Sequence, residues 1–134
     1  VRDWLYVEDH CSALRAVLTN APPGSSYNVG GNSELTNLEV IHRLCDHLDA
    51  IRPRRDGQSY RQQITFVTDR PGHDRRYAID ATRIARELGW RPAESFDSGL
   101  RKTIEWYLGN PRWLAEVTGG AFQDWISEQY ERRA

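Results

Sequence analysis

Apolar positions recur along this chain with two periods, and their alternation predicts a series of short strands and amphipathic helices. Residues 1–6 mix aromatic and β-branched side chains as a strand does, and Cys11, Leu14, Val17 and Leu18 then recur at helical spacing as far as Asn20. Ala21-Pro22-Pro23-Gly24 breaks that helix, and Ser26-Tyr27-Asn28-Val29 predicts a second strand closed by Gly30-Gly31. The first unit is therefore β-α-β. Thr36 followed three residues later by Glu39 is a capping box, and Leu38, Ile41, Leu44, Cys45 and Leu48 trace one face of the helix it starts. Residues 52–62 follow neither period and predict a solvated loop. A short strand over 64–67 and a more charged loop over 69–76 come next.

Tyr77-Ala78-Ile79 predicts another short strand, and Asp80 caps a helix carrying Ile84 and Leu88 that Gly89 ends before Arg91-Pro92. Ser95 or Asp97 caps the following helix, with Phe96, Leu100, Ile104, Tyr107 and Leu108 facing inward. Asn110-Pro111 stops it, and residues 113–117 and 122–130 predict two short helices joined through Gly119-Gly120. Strands alternating with helices predict an α/β fold with a parallel or mixed sheet, but they are too few and too short for a complete doubly wound sheet. An incomplete sheet is expected. The chain opens at Val1-Arg2-Asp3-Trp4 without a methionine, as if inside an element.

With 134 residues, the chain predicts one unit over 1–134. Lys plus Arg number 18 against 19 for Asp plus Glu, so no global field draws it to nucleic acid or to an anionic membrane, and any bound anion must be held locally. Only Lys102 is a lysine; the remaining basic residues are arginines, whose planar fork suits phosphate and carboxylate. Cys11 and Cys45 fall on apolar helix faces and make no disulfide framework, which fits a reducing, cytoplasmic setting. No run approaches the ~20 apolar residues of a membrane span, and no signal peptide opens the chain.

Several chemistries lack their residues. A dinucleotide site needs a glycine-rich turn between strand and helix. Gly30-Gly31 lacks the third glycine, and the next helix starts only after a linker, so a plain turn is the preferred reading. A tyrosine base four residues before a lysine would have to occupy position 98, which is Ser98, so no catalytic residue of that type is expected here. His10 with Cys11, and His42 with Cys45 and His47, lack the spacing of a tetrahedral metal site, and no Gly-x-Ser-x-Gly elbow occurs. Two charged stretches remain, Arg2-Asp3-Trp4 and Asp69-Arg70-Pro71-Gly72-His73-Asp74-Arg75-Arg76. They could converge on a diphosphate, although charge alone favours surface salt bridges.

Val1-Arg2-Asp3-Trp4-Leu5-Tyr6-Val7-Glu8-Asp9-His10 resembles the Arg-Asp-aromatic-x-Tyr-Val-x-Asp segment of extended short-chain dehydrogenase/reductases acting on nucleotide sugars. Tyr27-Asn28-Val29-Gly30-Gly31 and Leu88-Gly89-Trp90-Arg91-Pro92 match two later landmarks of that group. The stretch from Asp69 through His73 to Asp80, and Arg101-Lys102-Thr103-Ile104-Glu105-Trp106-Tyr107-Leu108, look like the dTDP-glucose 4,6-dehydratases in particular.

The resemblance implies the C-terminal, substrate-binding part of a Rossmann-type α/β enzyme, with an incomplete sheet and a mostly helical C-terminal half. Arg2 and Asn37 would contact the substrate diphosphate, and Asp69, Arg70, Pro71, Gly72 and His73 would line the nucleotide pocket. The parent enzyme it implies is a homodimer that turns dTDP-glucose into the 4-keto-6-deoxy sugar with bound NAD. The NAD-binding and catalytic residues would precede this segment in a missing N-terminal Rossmann part. A nucleotide-sugar epimerase or decarboxylase shares the general landmarks but is not expected to share the loop from Arg70 to Arg76. A stand-alone binding module without chemistry is the reading from another class.

Overall fold

The computed structural model describes residues 1–68, 72–120, 122, 124 and 125. Strands β1 (Arg2–Asp3) and β2 (Glu34–Leu35) pair antiparallel, Arg2 opposite Leu35 and Asp3 opposite Glu34. Helix α1 (Val7–Asn20) lies between them in sequence, and α2 (Asn37–Ile51) leaves β2 after one residue. A 3-10 turn (Tyr60–Gln63), α3 (Thr82–Leu88), α4 (Phe96–Gly109) and α5 (Pro111–Val117) complete the order. Among the described residues, no helix is long and apolar enough to cross a membrane.

The caps form where local chemistry requires them. Thr36 Oγ1 accepts from Glu39 N at 3.2 Å while the Glu39 carboxylate accepts from Thr36 N at 2.7 Å, so two orphan amides are satisfied reciprocally. Of the two candidates before α4, Ser95 is the cap, and Ser98 completes its box. Asp97 is thereby free to take Arg43 of α2 at 2.7 Å, tying α4 to α2. Ala81 holds the cap position of α3, although Asp80 still accepts from Thr82 N at 2.9 Å. Gly89 ends α3 with a left-handed φ of 69°.

The core lies where α1 meets α3: Ala13, Ala81, Ile84 and Trp90 are buried, with Leu5, Val17, Tyr27 and Val29 packed around them. Small residues on α1 allow this close approach, so its buried side runs through Asp9 and Ala13. The spacing that predicts Cys11, Leu14 and Leu18 as inward is therefore only partly realised. Val17 packs on the core, but Cys11 and Leu14 are exposed and Leu18 is 87% exposed. Likewise Ile104 of α4 is buried, whereas Tyr107 is exposed. Buried Asp9 accepts from Ala93 N and Glu94 N, both at 3.0 Å, and this seats the loop before α4 on the start of α1. The predicted solvated loop is pinned to α2, because Asp49 accepts from Ser59 Oγ at 2.5 Å and from Tyr60 N at 2.9 Å.

Most predicted strands do not form. The strand over 1–6 shortens to two residues, and residues 26–29, 64–67 and 77–79 join no ladder among the described residues. A strand exists only when its backbone pairs with a neighbour. Tyr27 and Val29 place their side chains against the core but find no such neighbour, and Phe66 and Val67 are 81% and 78% exposed. The predicted helix over 122–130 falls mainly outside the described residues.

Candidate functional site

The site begins at the turn after β1. The Asp3 carboxylate accepts from Gly31 N at 2.8 Å and from Ser33 N at 2.7 Å, while Trp4 N donates to Ser33 O at 3.1 Å. A Cβ on Gly31 would sit 2.0 Å from Trp4 O, so only glycine permits this approach. The clamp fixes β1 against the turn that leads into β2.

Arg2 is held from several sides. Its Nη1 donates to Val1 O at 2.8 Å, and its Nη2 to Asp74 O at 3.1 Å and to His73 Nε2 at 2.9 Å. Because arginine only donates, His73 Nε2 is the acceptor in this contact. The Tyr77 ring lies under the guanidinium, 4.5 Å from Cζ to centroid. No carboxylate pairs with Arg2 among the described residues, so its charge is ordered but uncompensated within that set.

The structure thus brings together Arg2 and His73, predicted from stretches 71 residues apart in sequence. Gly72 turns the chain ahead of His73 with φ 70°. Asn37 opens α2, two residues beyond Leu35, which is the pairing partner of Arg2. Its side chain has no hydrogen bond among the described residues. Asp69, Arg70 and Pro71 lie outside the described residues. The mixed-charge loop is not closed on itself by ion pairs among the described residues: Arg76 pairs with Glu34 of β2, and Asp74 takes the Tyr77 hydroxyl.

The apolar concavity of the molecule does not coincide with this cluster. An apolar groove of about 590 Å³, lined by Trp4, Tyr6, Phe96, Leu100, Trp106 and Trp113 among others, has none of Arg2, Asn37 or His73 on its wall. The Arg2 cluster carries charge and hydrogen-bonding groups, and the groove carries apolar surface. Sequence reasoning missed the groove because its wall combines residues from the start of the chain with residues of α4 and α5. It also missed Tyr77, whose strand-like neighbours marked it as apolar.

No group of three potential metal ligands occurs among the described residues. The Gly30-Gly31 turn does not fit a dinucleotide, because the Gly31 amide is spent on Asp3 and its Cα is pressed against Trp4 O. A pyrophosphate needs such amides free.

Comparison with known proteins gives a consistent result. A family model described as GDP-mannose 4,6 dehydratase matches residues 1–103. A dTDP-glucose 4,6-dehydratase of Salmonella typhimurium is 58% identical over 133 residues, covering 99% of this chain and 36% of the relative. One from Xanthomonas campestris is 54% identical over 123 residues, 92% of this chain and 35% of the relative. The chain therefore spans about a third of the length of the curated relatives it matches. Among solved structures, a dTDP-glucose 4,6-dehydratase from Bacillus anthracis in complex with NAD is 42% identical, with a TM-score of 0.69 over 83% of this chain and 32% of that one. Another from Streptomyces venezuelae, also with NAD bound, gives 39% identity and a TM-score of 0.72 with the same coverage.

Proposed function

The chain belongs to the family described as GDP-mannose 4,6 dehydratase, and from that premise we propose that it is the substrate-binding portion of a dTDP-glucose 4,6-dehydratase. The parent enzyme is the lyase that converts dTDP-glucose to dTDP-4-keto-6-deoxyglucose. In that net change C4 is oxidised, C6 is reduced and one water is lost. The segment supplies grip on the nucleotide sugar and no chemical step.

The observation that carries the reading is Arg2, fixed by three hydrogen bonds and a ring contact with no carboxylate partner among the described residues. A cation ordered in advance and left uncompensated suits a diphosphate, which supplies charge and several acceptors at once. Asn37 adds a side-chain donor at the start of a 15-residue helix. Asp69, Arg70, Pro71, Gly72 and His73 are assigned to the nucleotide pocket. His73 aligns Arg2 without adding a competing negative charge.

NAD is assigned to the part of the parent enzyme beyond this segment, in keeping with the closed Gly30-Gly31 turn. That part is also the proposed partner of α1, whose Val7, Cys11, Leu14 and Leu18 present an exposed apolar stripe. On the family resemblance, the parent is assigned as a cytoplasmic homodimer.

Calorimetric titration of the 134-residue chain with dTDP-glucose, beside UDP-glucose and NAD, tests the reading. Selective binding of dTDP-glucose is expected. A folded chain that binds none of the three, or binds NAD instead, contradicts it.

A further inference from the structure

The Arg2 guanidinium has five N–H donors. Three are engaged by Val1 O, Asp74 O and His73, which leaves two for a ligand. Those bonds lie at the edges of the planar group and cover neither of its faces. Tyr77 covers one face at 4.5 Å.

Tyr77 is itself anchored to the same unit. Its backbone N donates at 3.0 Å to Val1 O, the carbonyl that also accepts from Arg2, and its hydroxyl donates to the Asp74 carboxylate. Asp74 in turn offers its backbone carbonyl to Arg2. One carbonyl and one aspartate thus couple the ring to the guanidinium from both ends. The ring attracts the cation without neutralising it, which a carboxylate in that place would do.

We infer that Tyr77 is a positioning residue that sets the plane of Arg2 for the substrate diphosphate, an inference that rests on the reading of Arg2 as a diphosphate ligand. Its action is through Arg2, so phosphate-bearing ligands feel it and the bare nucleoside does not. The ring carries the effect; the hydroxyl only anchors the ring.

The test compares Tyr77→Phe, Tyr77→Leu and Arg2→Ala with the unaltered chain, titrating each with dTDP and with thymidine after confirming folding by near-UV circular dichroism. Tyr77→Leu is expected to weaken dTDP binding roughly two- to fivefold, the size of an exposed cation–π contact. Tyr77→Phe is expected to bind dTDP as the unaltered chain does, and thymidine binding is expected to be the same in all. Full dTDP affinity in Tyr77→Leu, with loss in Arg2→Ala, overturns the positioning role and leaves the function standing. An equal loss for thymidine and dTDP in Tyr77→Leu also overturns it, since that marks general disruption. Undiminished dTDP binding in Arg2→Ala, or none in the folded unaltered chain, overturns the underlying reading and the inference with it.

Discussion

Arg2 is where residue chemistry decides most. Replacing it with alanine is expected to weaken dTDP-sugar binding by about 1.5–3 kcal/mol, the range of a charge-assisted hydrogen bond. Unchanged affinity by calorimetry would reduce Arg2 to a surface ion. Gly31→Ala addresses the clamp beneath it. The added Cβ meets the backbone oxygen of Trp4, which cannot swing away as a flexible side chain would. A loss of about 1–3 kcal/mol in denaturant unfolding is expected, as for overpacking. An unaltered midpoint would mean that β1 is free to shift. Arg2 and His73, singled out through motif resemblance, are brought together by the structure, whereas their proposed role with Asn37 rests on the resemblance. Tyr77, Asp3 and Asp9 were not legible in the sequence, because a stacking face or a shared carboxylate is defined by partners 28 to 85 residues away.

Elements were legible to the degree that their causes are local. The Thr36–Glu39 box and the Gly89 stop act within a few residues and formed as read; Ser95 was one of two candidates for its cap, and Ala81 took the cap position expected of Asp80. Thr36→Ala is expected to cost about 1 kcal/mol of stability, since the Glu39 amide loses its acceptor. Full stability in that variant would show that α2 is held by packing alone. The loop after α2 contributes acid sensitivity. The Arg54 guanidinium, with Gln58 N, holds the Asp56 carboxyl down at about 2. A depressed value stabilises the fold above the unfolded aspartate pKa of about 3.9 and loses that effect as pH falls through the folded value. Unfolding followed from pH 4 to pH 2 is therefore expected to fall less steeply in Asp56→Asn than in the unaltered chain. Identical slopes would remove the pair from the stability balance. Strands fared worse than helices, as residues 26–29 and 64–67 show, because a helix satisfies its own backbone and a strand depends on another one.

For the whole molecule, the unmatched surface is the informative feature. Val7, Cys11, Leu14 and Leu18 line α1 with apolar side chains that face no described residue of the core, and Phe66 and Val67 are exposed as well. Such a face favours association. The chain alone is expected to self-associate in sedimentation experiments, and Leu18→Glu is expected to reduce that without altering dTDP binding. A monodisperse, cooperatively unfolding monomer would contradict the proposal that the stripe seats the NAD-binding part. The sequence by itself determined the capping box of α2, the stop at Gly89, the absence of a tyrosine–lysine pair at hydride-transfer spacing and the family resemblance, since each resides in spacing along the chain. Only the tertiary structure decided which side of α1 is buried, which predicted strands found a partner, and that Arg2, His73 and Tyr77 form one unit. Those outcomes depend on which distant segments meet, and local periodicity holds no information about that.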